Sequence, residues 1–566
     1  MPVAVRTVFA ARYTVPDPDE LLSRRRLLQI AAAGGLVMAR GLMNTTEHDG
    51  PPKRQAPRSA SLRGGLRAGP AQADRALVGP ELPEMTGTPA PADWSALSAK
   101  LAGRLVRPGN PAYATDLQLY DPQFDTSRPA AIAYCANADD VARCITFARS
   151  HHLPLAARSG GHSYAGYSAT AGLVIDVSLM SRVSRVSHGG SIATVGAGVR
   201  LIDLYSGLAR DGVAVPAGSC PTVGIAGLAL GGGIGVLDRL HGLTCDHTMG
   251  LEIVTAGGEI VHAGPSTNPD LYWACRGGGG GNFGIVTEFQ FSTFPTTELS
   301  LFSATWPWPA AADLLPAWLE WASTSPDPLW SNCLLQTVPG TGAPTVLVGG
   351  VWAGSLAEAN AQLQRLVRAT GPPQSQVAGE NGFADAMFIE AGCDGLSEPA
   401  CHLAGRYPGG VLPRVLRLLR SDILNAPLSD KGVRAVVSGI RQRHEEGGPG
   451  EVIFDSWGGA INRVAPEATA FVHRKAIASA QYEAAFSPGV AAAPLREAKN
   501  WLDAWYNSLR PYVSGEAYQN YIDPSLATWE QAYYGSNLAR LERVKAKWDP
   551  DDVFHFGQSI PLPAGR

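Results

Sequence analysis

The chain has 566 residues, of which 45% are apolar and 17% charged, with a formal net charge of -4. That balance suits a large globular protein with a substantial core, and it excludes the basic footprint of a nucleic-acid binder. At about one domain per ~150 residues, the length implies three or four units. Glycine occurs 64 times without a fixed period, so it marks turns and close backbone approaches rather than a fibre.

Taken in chain order, the first feature is Ser23-Arg24-Arg25-Arg26-Leu27-Leu28-Gln29, which leads into the apolar run LLQIAAAGGLVMA. A charged segment before a short apolar one is an export signal; a membrane-spanning helix needs ~20 apolar residues. The paired arginines resemble the twin-arginine signal of bacteria, with Leu27 where phenylalanine is common. Residues 1–43 are therefore expected to engage the twin-arginine export machinery and to place the protein outside a bacterial cytoplasm, secreted or periplasmic. That route carries folded proteins, which suits a cofactor inserted before export. Residues 44–110, rich in Pro, Arg and Ala, read as a linker. No later stretch reaches spanning length, so the mature chain is expected to lack a membrane span.

From Ala130 the pattern alternates strand and helix. AAIAYC, LPLAAR, GLVIDVS and SIATVGAG read as strands. Asn137 is positioned to cap a helix with apolar residues at Val141, Cys144, Ile145 and Ala148, and RLIDLYSGLARDG forms another, closed by Gly212. Residues 111–296 thus form one domain. Residues 297–510 carry long strands (LSLFSATWPW, PTVLVGGVWAG, EVIFDSWGGAINRV) and amphipathic helices, the pattern of an antiparallel sheet backed by helices. FVHRKA, with His473 and Arg474, is expected on a strand of that sheet. The segment 511–566 holds AYQNYID, read as a strand, and a final helix ending at Pro550. His151 and His152 end a helix, where cations suit the dipole. Of the eight cysteines, none stands in a CxxC pair, which argues against structural zinc; Cys393 and Cys401 are close enough in sequence to pair in an oxidising compartment.

Three glycine loops carry the chemistry: RSGGHSYAGYS from Arg158, GSCPTVGIAGLALGGGIG from Gly218, and RGGGGGNFGIVTEF from Arg276. Successive backbone N–H groups in such loops make anion-binding nests, and a pyrophosphate is the obvious guest. None of the loops fits the dinucleotide fingerprint of a strand, GxGxxG and a later acid, and a Walker lysine motif is absent.

With RSGGHS, GSCPTVG, LGGGIG, WACRGGGGGNFGIVT, YQNYID and the closing YYGSNLARLERVKAKWDPDDVFHFGQSI in this order, the chain resembles the berberine-bridge-enzyme-like branch of the FAD-linked oxidases over about residues 115–566. The resemblance implies an α+β architecture: a PCMH-type FAD-binding domain of two subdomains, an antiparallel-sheet substrate domain backed by helices, and a C-terminal berberine-type segment completing the FAD domain. It implies FAD bound covalently through His162, at the flavin 8α-methyl, and through Cys220, at C6. Arg158, Ser159, Gly160, Gly161 and Ser163 then lie by the pyrophosphate, Gly224 and Gly227 by the flavin, and Gly284, Ile285 and Val286 at the adenosine end. Tyr521 matches the family's base, with Tyr518 as the alternative, and Asn520 is a candidate to hydrogen-bond the flavin. On a strand, Tyr518 and Tyr521 would face opposite sides, so both reach the pocket only at a bulge or strand end. Val223 stands where relatives border the oxygen-reactive carbon; its small side chain favours an oxidase. Ile234 replaces a catalytic tyrosine of some relatives that oxidise antibiotic sugars, and Ala226 and Leu228 depart from the commoner Gly-Gly-His pattern of that loop.

The implied function is hydride removal from an alcohol carbon of an oligosaccharide or other small molecule, with O2 as acceptor and hydrogen peroxide as product. Two further readings stay open: a tailoring oxidase of a specialised metabolite, and a dehydrogenase with a non-oxygen acceptor.

Overall fold

The computed structural model describes residues 87–186, 191–340 and 342–563. The expected export signal and most of the expected linker lie outside the described residues. The linker, expected to run to 110, gives way to ordered structure earlier. Pro91–Ser98 is a helix with proline in its first turn, where a missing N–H costs nothing, and it buries Trp94 and Leu97 three residues apart. Arg104–Val106 then pairs antiparallel with Ala131–Tyr134.

Two sheets build the first core. In one, the order is Arg104–Val106, Ala131–Tyr134, Leu173–Asp176 and Leu155–Arg158, with the last three parallel. Every residue of Ala131–Tyr134 and Leu173–Asp176 is buried, as continuous apolar runs in a covered parallel sheet require. The helix Ala138–Ser150 crosses over it, and the Asn137 side chain accepts the Asp140 N–H at 3.0 Å as its cap. The other sheet is antiparallel, in the order Val183–Val186, Ile192–Gly196, Ile285–Ser292, Thr248–Val254 and Ile260–Ala263.

The second core belongs to a seven-stranded antiparallel sheet in the order Ser375–Asn381, Leu299–Pro307, Thr345–Ala353, Leu329–Thr337, Gly450–Ser456, Ala478–Phe486 and Leu416–Leu424. Helices Ala311–Thr324, Leu356–Thr370, Asp430–Glu445 and Ala492–Leu509 cover one face and seal Trp306, Trp318, Trp501 and Trp505 beneath them. The mixed architecture expected from the sequence is the one observed.

Three local expectations need correction. The strand read in EVIFDSWGGAINRV stops at Ser456, because Gly458 and Gly459 take φ of +110° and +56° and turn the chain into the short helix Ala460–Arg463. FVHRKA is a loop rather than a strand. Its Arg474 forks onto Asp246 at 2.7 and 2.9 Å, and the Phe471 N–H donates to the Arg276 carbonyl at 3.2 Å. The segment therefore clasps the third glycine loop instead of joining a ladder. AYQNYID is not a strand either: Gln519–Tyr521 is a 3-10 turn, closed by the Tyr521 N–H donating to the Tyr518 carbonyl at 2.9 Å.

The C-terminal helix Leu538–Trp548 returns to the first core, and Lys545 Nζ donates to the Asn282 carbonyl in the third glycine loop. Cys393 and Cys401 form a disulfide, with their Cα atoms 5.8 Å apart. Among the described residues no helix is long and apolar enough to cross a membrane.

Candidate functional site

A cavity of about 350 Å³ lies between the two cores, and every site residue expected from the sequence borders it: Arg158 to Ser163, Cys220, Val223, Gly224, Gly227, Gly284 to Val286, Tyr518, Asn520 and Tyr521. The volume is within the range of ligand pockets, ~300–1,000 Å³.

The first two glycine loops meet backbone to backbone. A Cβ on Gly160 would fall 2.2 Å from the Gly224 nitrogen, and one on Gly224 would fall 2.1 Å from Ser159 Oγ. Only glycine permits that contact, and it sets His162 beside the loop of Cys220. His162 Nε2 shares a hydrogen bond with Thr222 Oγ1 at 2.9 Å, and the imidazole stacks on Tyr120 with centroids 4.1 Å apart. Burial first, then Arg200 and Arg417, lowers the His162 pKa to about 3. The ring is thus neutral at physiological pH, with a nucleophilic lone pair. Among the free cysteines of the described residues, Cys220 is the exposed one. Since it lines the cavity and burial raises its pKa, its exposure is to the cavity interior.

The third loop closes the other side. Gly279 and Gly281 hold φ of +92° and +72°, and a Cβ on Gly279 would press 2.5 Å from Gln519 Nε2. Gln519 lines the cavity, and its side-chain oxygen Oε1 is buried without a partner among the described residues. Beneath the first loop, Arg158 pairs through Nε with Asp176 at 2.5 Å, while both its Nη atoms are buried and unpartnered among the described residues. Glycine N–H groups, an underlying guanidinium and an orphaned amide acceptor along one cavity suit a diphosphate joined to a heteroaromatic ring. The residues present therefore fit FAD.

The 3-10 turn resolves the orientation of the two tyrosines. Residues three apart share a side of such a turn, so Tyr518 and Tyr521 both face the cavity, with rings edge to face at 4.9 Å. The Tyr518 hydroxyl accepts the Gly233 N–H and an Asn520 Nδ2–H, each at 2.9 Å, and Asn520 Nδ2 also donates to the Leu228 carbonyl at 2.9 Å. Burial drives both tyrosine pKa values upward, and Asp455, Tyr164 and Tyr518 push Tyr521 further. The largest effects on Tyr521 all raise it.

Sequence reasoning missed the opposite wall. The uncovered face of the seven-stranded sheet presents Trp330, Asn332, Ile453, Asp455 and Gln481 to the cavity, where they are joined by Asp238, Glu390 and Trp457. Strand register assembles them: Asn332 lies opposite Asp455, and Ile453 opposite Gln481. Burial raises Asp455 to about 7, while burial and then Asp455 raise Glu390 to about 8. The available signal was an acid in the apolar run of Gly450–Ser456, where a charge is costly without a purpose.

Comparison with known proteins gives a consistent result. A family model described as an FAD binding domain matches residues 129–264, and one described as berberine and berberine like matches residues 517–561. The FAD-linked oxidoreductase YgaK of Bacillus subtilis (strain 168) is 34% identical over 472 residues, covering 82% of this chain and 97% of its own. Glucooligosaccharide oxidase of Sarocladium strictum is 29% identical over 450 residues, covering 75% and 86%. The solved structure of Physcomitrella patens BBE-like 1 superimposes with a TM-score of 0.75 at 30% identity, covering 83% of this chain and 99% of that one.

Proposed function

The chain belongs to the berberine-like FAD-linked oxidoreductases, and on that footing we propose that it is an exported oxidase, with FAD held covalently by His162 and Cys220, acting on an alcohol carbon of a carbohydrate or similar substrate. The observation that carries this reading is that His162 and Cys220 line one cavity together with Tyr521 and Asp455. The similarity to a glucooligosaccharide oxidase supports a carbohydrate substrate, and the twin-arginine pattern supports export.

FAD, when bound, would supply the two-electron acceptor for the hydride, with O2 as the proposed final acceptor. The chain's residues then have separable tasks. Ser159, Gly160, Gly161 and Ser163 offer backbone and hydroxyl groups to the pyrophosphate, with Arg158 beneath. Gly224 and Gly227 let the backbone come close to the flavin, Val223 leaves room for O2, and Gly284, Ile285 and Val286 border the adenosine. His162, uncharged, offers its lone pair, and Cys220 offers its thiol. Asn520 fixes the Tyr518 hydroxyl, which already accepts two N–H groups; that engagement favours Tyr521 over Tyr518 as the proton acceptor.

A tyrosine raised above its ordinary range is a poor base at neutral pH. Asp455 is the charged group that bears most on Tyr521, and it titrates near 7. We assign the substrate hydroxyl proton to Tyr521 Oη, with the tyrosine's own proton passing to the Asp455 carboxylate, whose pKa of about 7 suits it to accept one.

The testing experiment is anaerobic bleaching of the flavin band of the signal-free protein by a panel of mono- and oligosaccharides, simple alcohols and aromatic alcohols, with acid precipitation to check that the yellow colour stays with the protein. Bleaching by a sugar, reversed by air with peroxide formed, is expected. Colour lost to the acid supernatant would remove the covalent assignment, and bleaching that only a dye acceptor reverses would remove the oxidase assignment.

A further inference from the structure

The cavity wall facing Tyr521 carries more carboxyl groups than alcohol oxidation requires. Three carboxyl side chains border it, each from a different element: Asp238 from the turn of helix Asp238–His241, Glu390 from the end of helix Phe383–Glu390, and Asp455 from strand Gly450–Ser456. No lysine lines the cavity, and the arginine that does, Arg158, is paired with Asp176 at the cofactor end. Arg239, next to Asp238 in sequence, donates instead to the carbonyls of Trp457 and Ser325.

Neither Glu390 nor Asp455 has a cation among the groups acting on it, and the cation that acts on Asp238 is its sequence neighbour Arg239, whose Nη atoms donate to those two carbonyls. Asp238 is 1% exposed; its Oδ2 accepts the Gly235 N–H at 3.1 Å, while Oδ1 has no partner among the described residues. Asp455 is the charged group acting on Glu390, and it also acts on Asp238. Four aromatic side chains, Trp330, Trp457, Tyr164 and Tyr521, line the cavity with these carboxyls, beside Asn332, Ile453 and Gln481. Trp457 is 1% exposed, and its Nε1–H finds no acceptor among the described residues.

We propose that the substrate of this cavity is a hydroxylated amine, an amino sugar or amino alcohol, whose ammonium group binds among Asp238, Glu390 and Asp455 and whose oxygen accepts the Trp457 Nε1–H. The inference rests on the oxidase reading above and narrows its substrate class. A buried carboxylate is stable only when paired, and an ammonium group brings one positive charge with three N–H donors. Aromatic faces around it add cation–π attraction. A neutral sugar supplies hydroxyl donors but no charge, and a uronic acid adds a further carboxyl to a wall that already has three. Asp238 and Glu390 titrate near 8 and Asp455 near 7, so the wall holds protons near neutrality, and a bound cation allows it to ionise.

The test uses the flavin-loaded protein under anaerobic conditions, with binding read from intrinsic tryptophan fluorescence. Probes are matched sets: glucosamine, glucose and N-acetylglucosamine; galactosamine, galactose and N-acetylgalactosamine; serinol and glycerol. Reduction of the flavin is followed in the same samples. The expected result is that in at least one set the amine binds tenfold or more tightly than its neutral counterparts, and that Glu390→Gln and Asp238→Asn each reduce that ratio at least fivefold. Equal or weaker binding of the amine in every set overturns the proposal, as does a ratio unchanged in both variants. Selective amine binding with no flavin reduction by any probe would sink the oxidase reading while leaving the amine site standing.

Discussion

Replacing Lys545 with methionine tests whether the C-terminal segment holds the glycine cradle in place. Lys545 and Asp549 are both completely buried, one helical turn apart. The ammonium donates to Asp549 Oδ2 at 2.7 Å, the Phe554 carbonyl at 2.7 Å and the Asn282 carbonyl at 3.1 Å, with Asp552 Oδ1 also at 3.1 Å. Asn282 belongs to the third glycine loop, and its side chain ties Gly278 to Ile560 through bonds of 3.0 and 2.9 Å. Methionine fills the same space but leaves the Asp549 carboxylate with the Val553 and Phe554 N–H groups alone, and strips two buried carbonyls. Breaking a buried pair from one side costs about 3–5 kcal/mol, and each orphaned acceptor about 1–3 kcal/mol on its own. We therefore expect Lys545→Met to lose at least ~3 kcal/mol in urea unfolding and to release flavin at lower denaturant than wild type. Adding Asp549→Leu removes the stranded charge and should restore part of the loss. A Lys545→Met protein within about 1 kcal/mol of wild type, retaining its flavin, would refute the reasoning.

Gly160→Ala sets a Cβ 2.2 Å from backbone that cannot swing aside; we expect a loss of about 1–3 kcal/mol and a lower fraction of acid-stable flavin, whereas Gly382→Ala, with nothing within 4 Å of its new Cβ, should melt within about 1 kcal/mol of wild type. Tyr521→Phe should lower kcat by about 10²-fold or more with a much smaller change in KM, measured by oxygen uptake; an undiminished kcat moves the base elsewhere. The Glu390 carboxyl is raised to about 8 by burial and Asp455, so in the unfolded chain it ionises first. Its contribution favours the fold below the ordinary carboxyl range and is lost as pH rises toward 8. Glu390→Gln should accordingly flatten the fall of the denaturation midpoint between about pH 5 and pH 8.5; an unchanged slope would mean that other groups set it.

The parts legible in the sequence are those that act through backbone. Gly160 and Gly224 touch each other, Gly279 lies against Gln519, and the neutral His162 follows two glycines because no other residue lets the loops close. Their spacing along the chain carries their meaning, so the cofactor end could be read residue by residue. The substrate wall could not. Asn332 meets Asp455, and Ile453 meets Gln481, only through the register of strands far apart in sequence, and Glu390 arrives from a helix with no local sign of its destination. The tyrosines show the same limit at short range. A period of two would have sent Tyr518 and Tyr521 to opposite faces, but a hydrogen bond from the Tyr521 N–H to the Tyr518 carbonyl makes the period three and turns both inward. FVHRKA, expected on a strand, is held as a loop by Arg474 on Asp246, so that Phe471 lies against Gly277, where a Cβ would fall 2.3 Å from its nitrogen. The division has a physical cause. FAD offers a diphosphate and a flat ring that any chain can meet with N–H groups, so its binding is written in glycines. A substrate is distinguished by side chains held in place by long-range packing, and Asp238, Glu390 and Asp455, brought to one cavity from three separate elements, are where the proposed amine selectivity is tested.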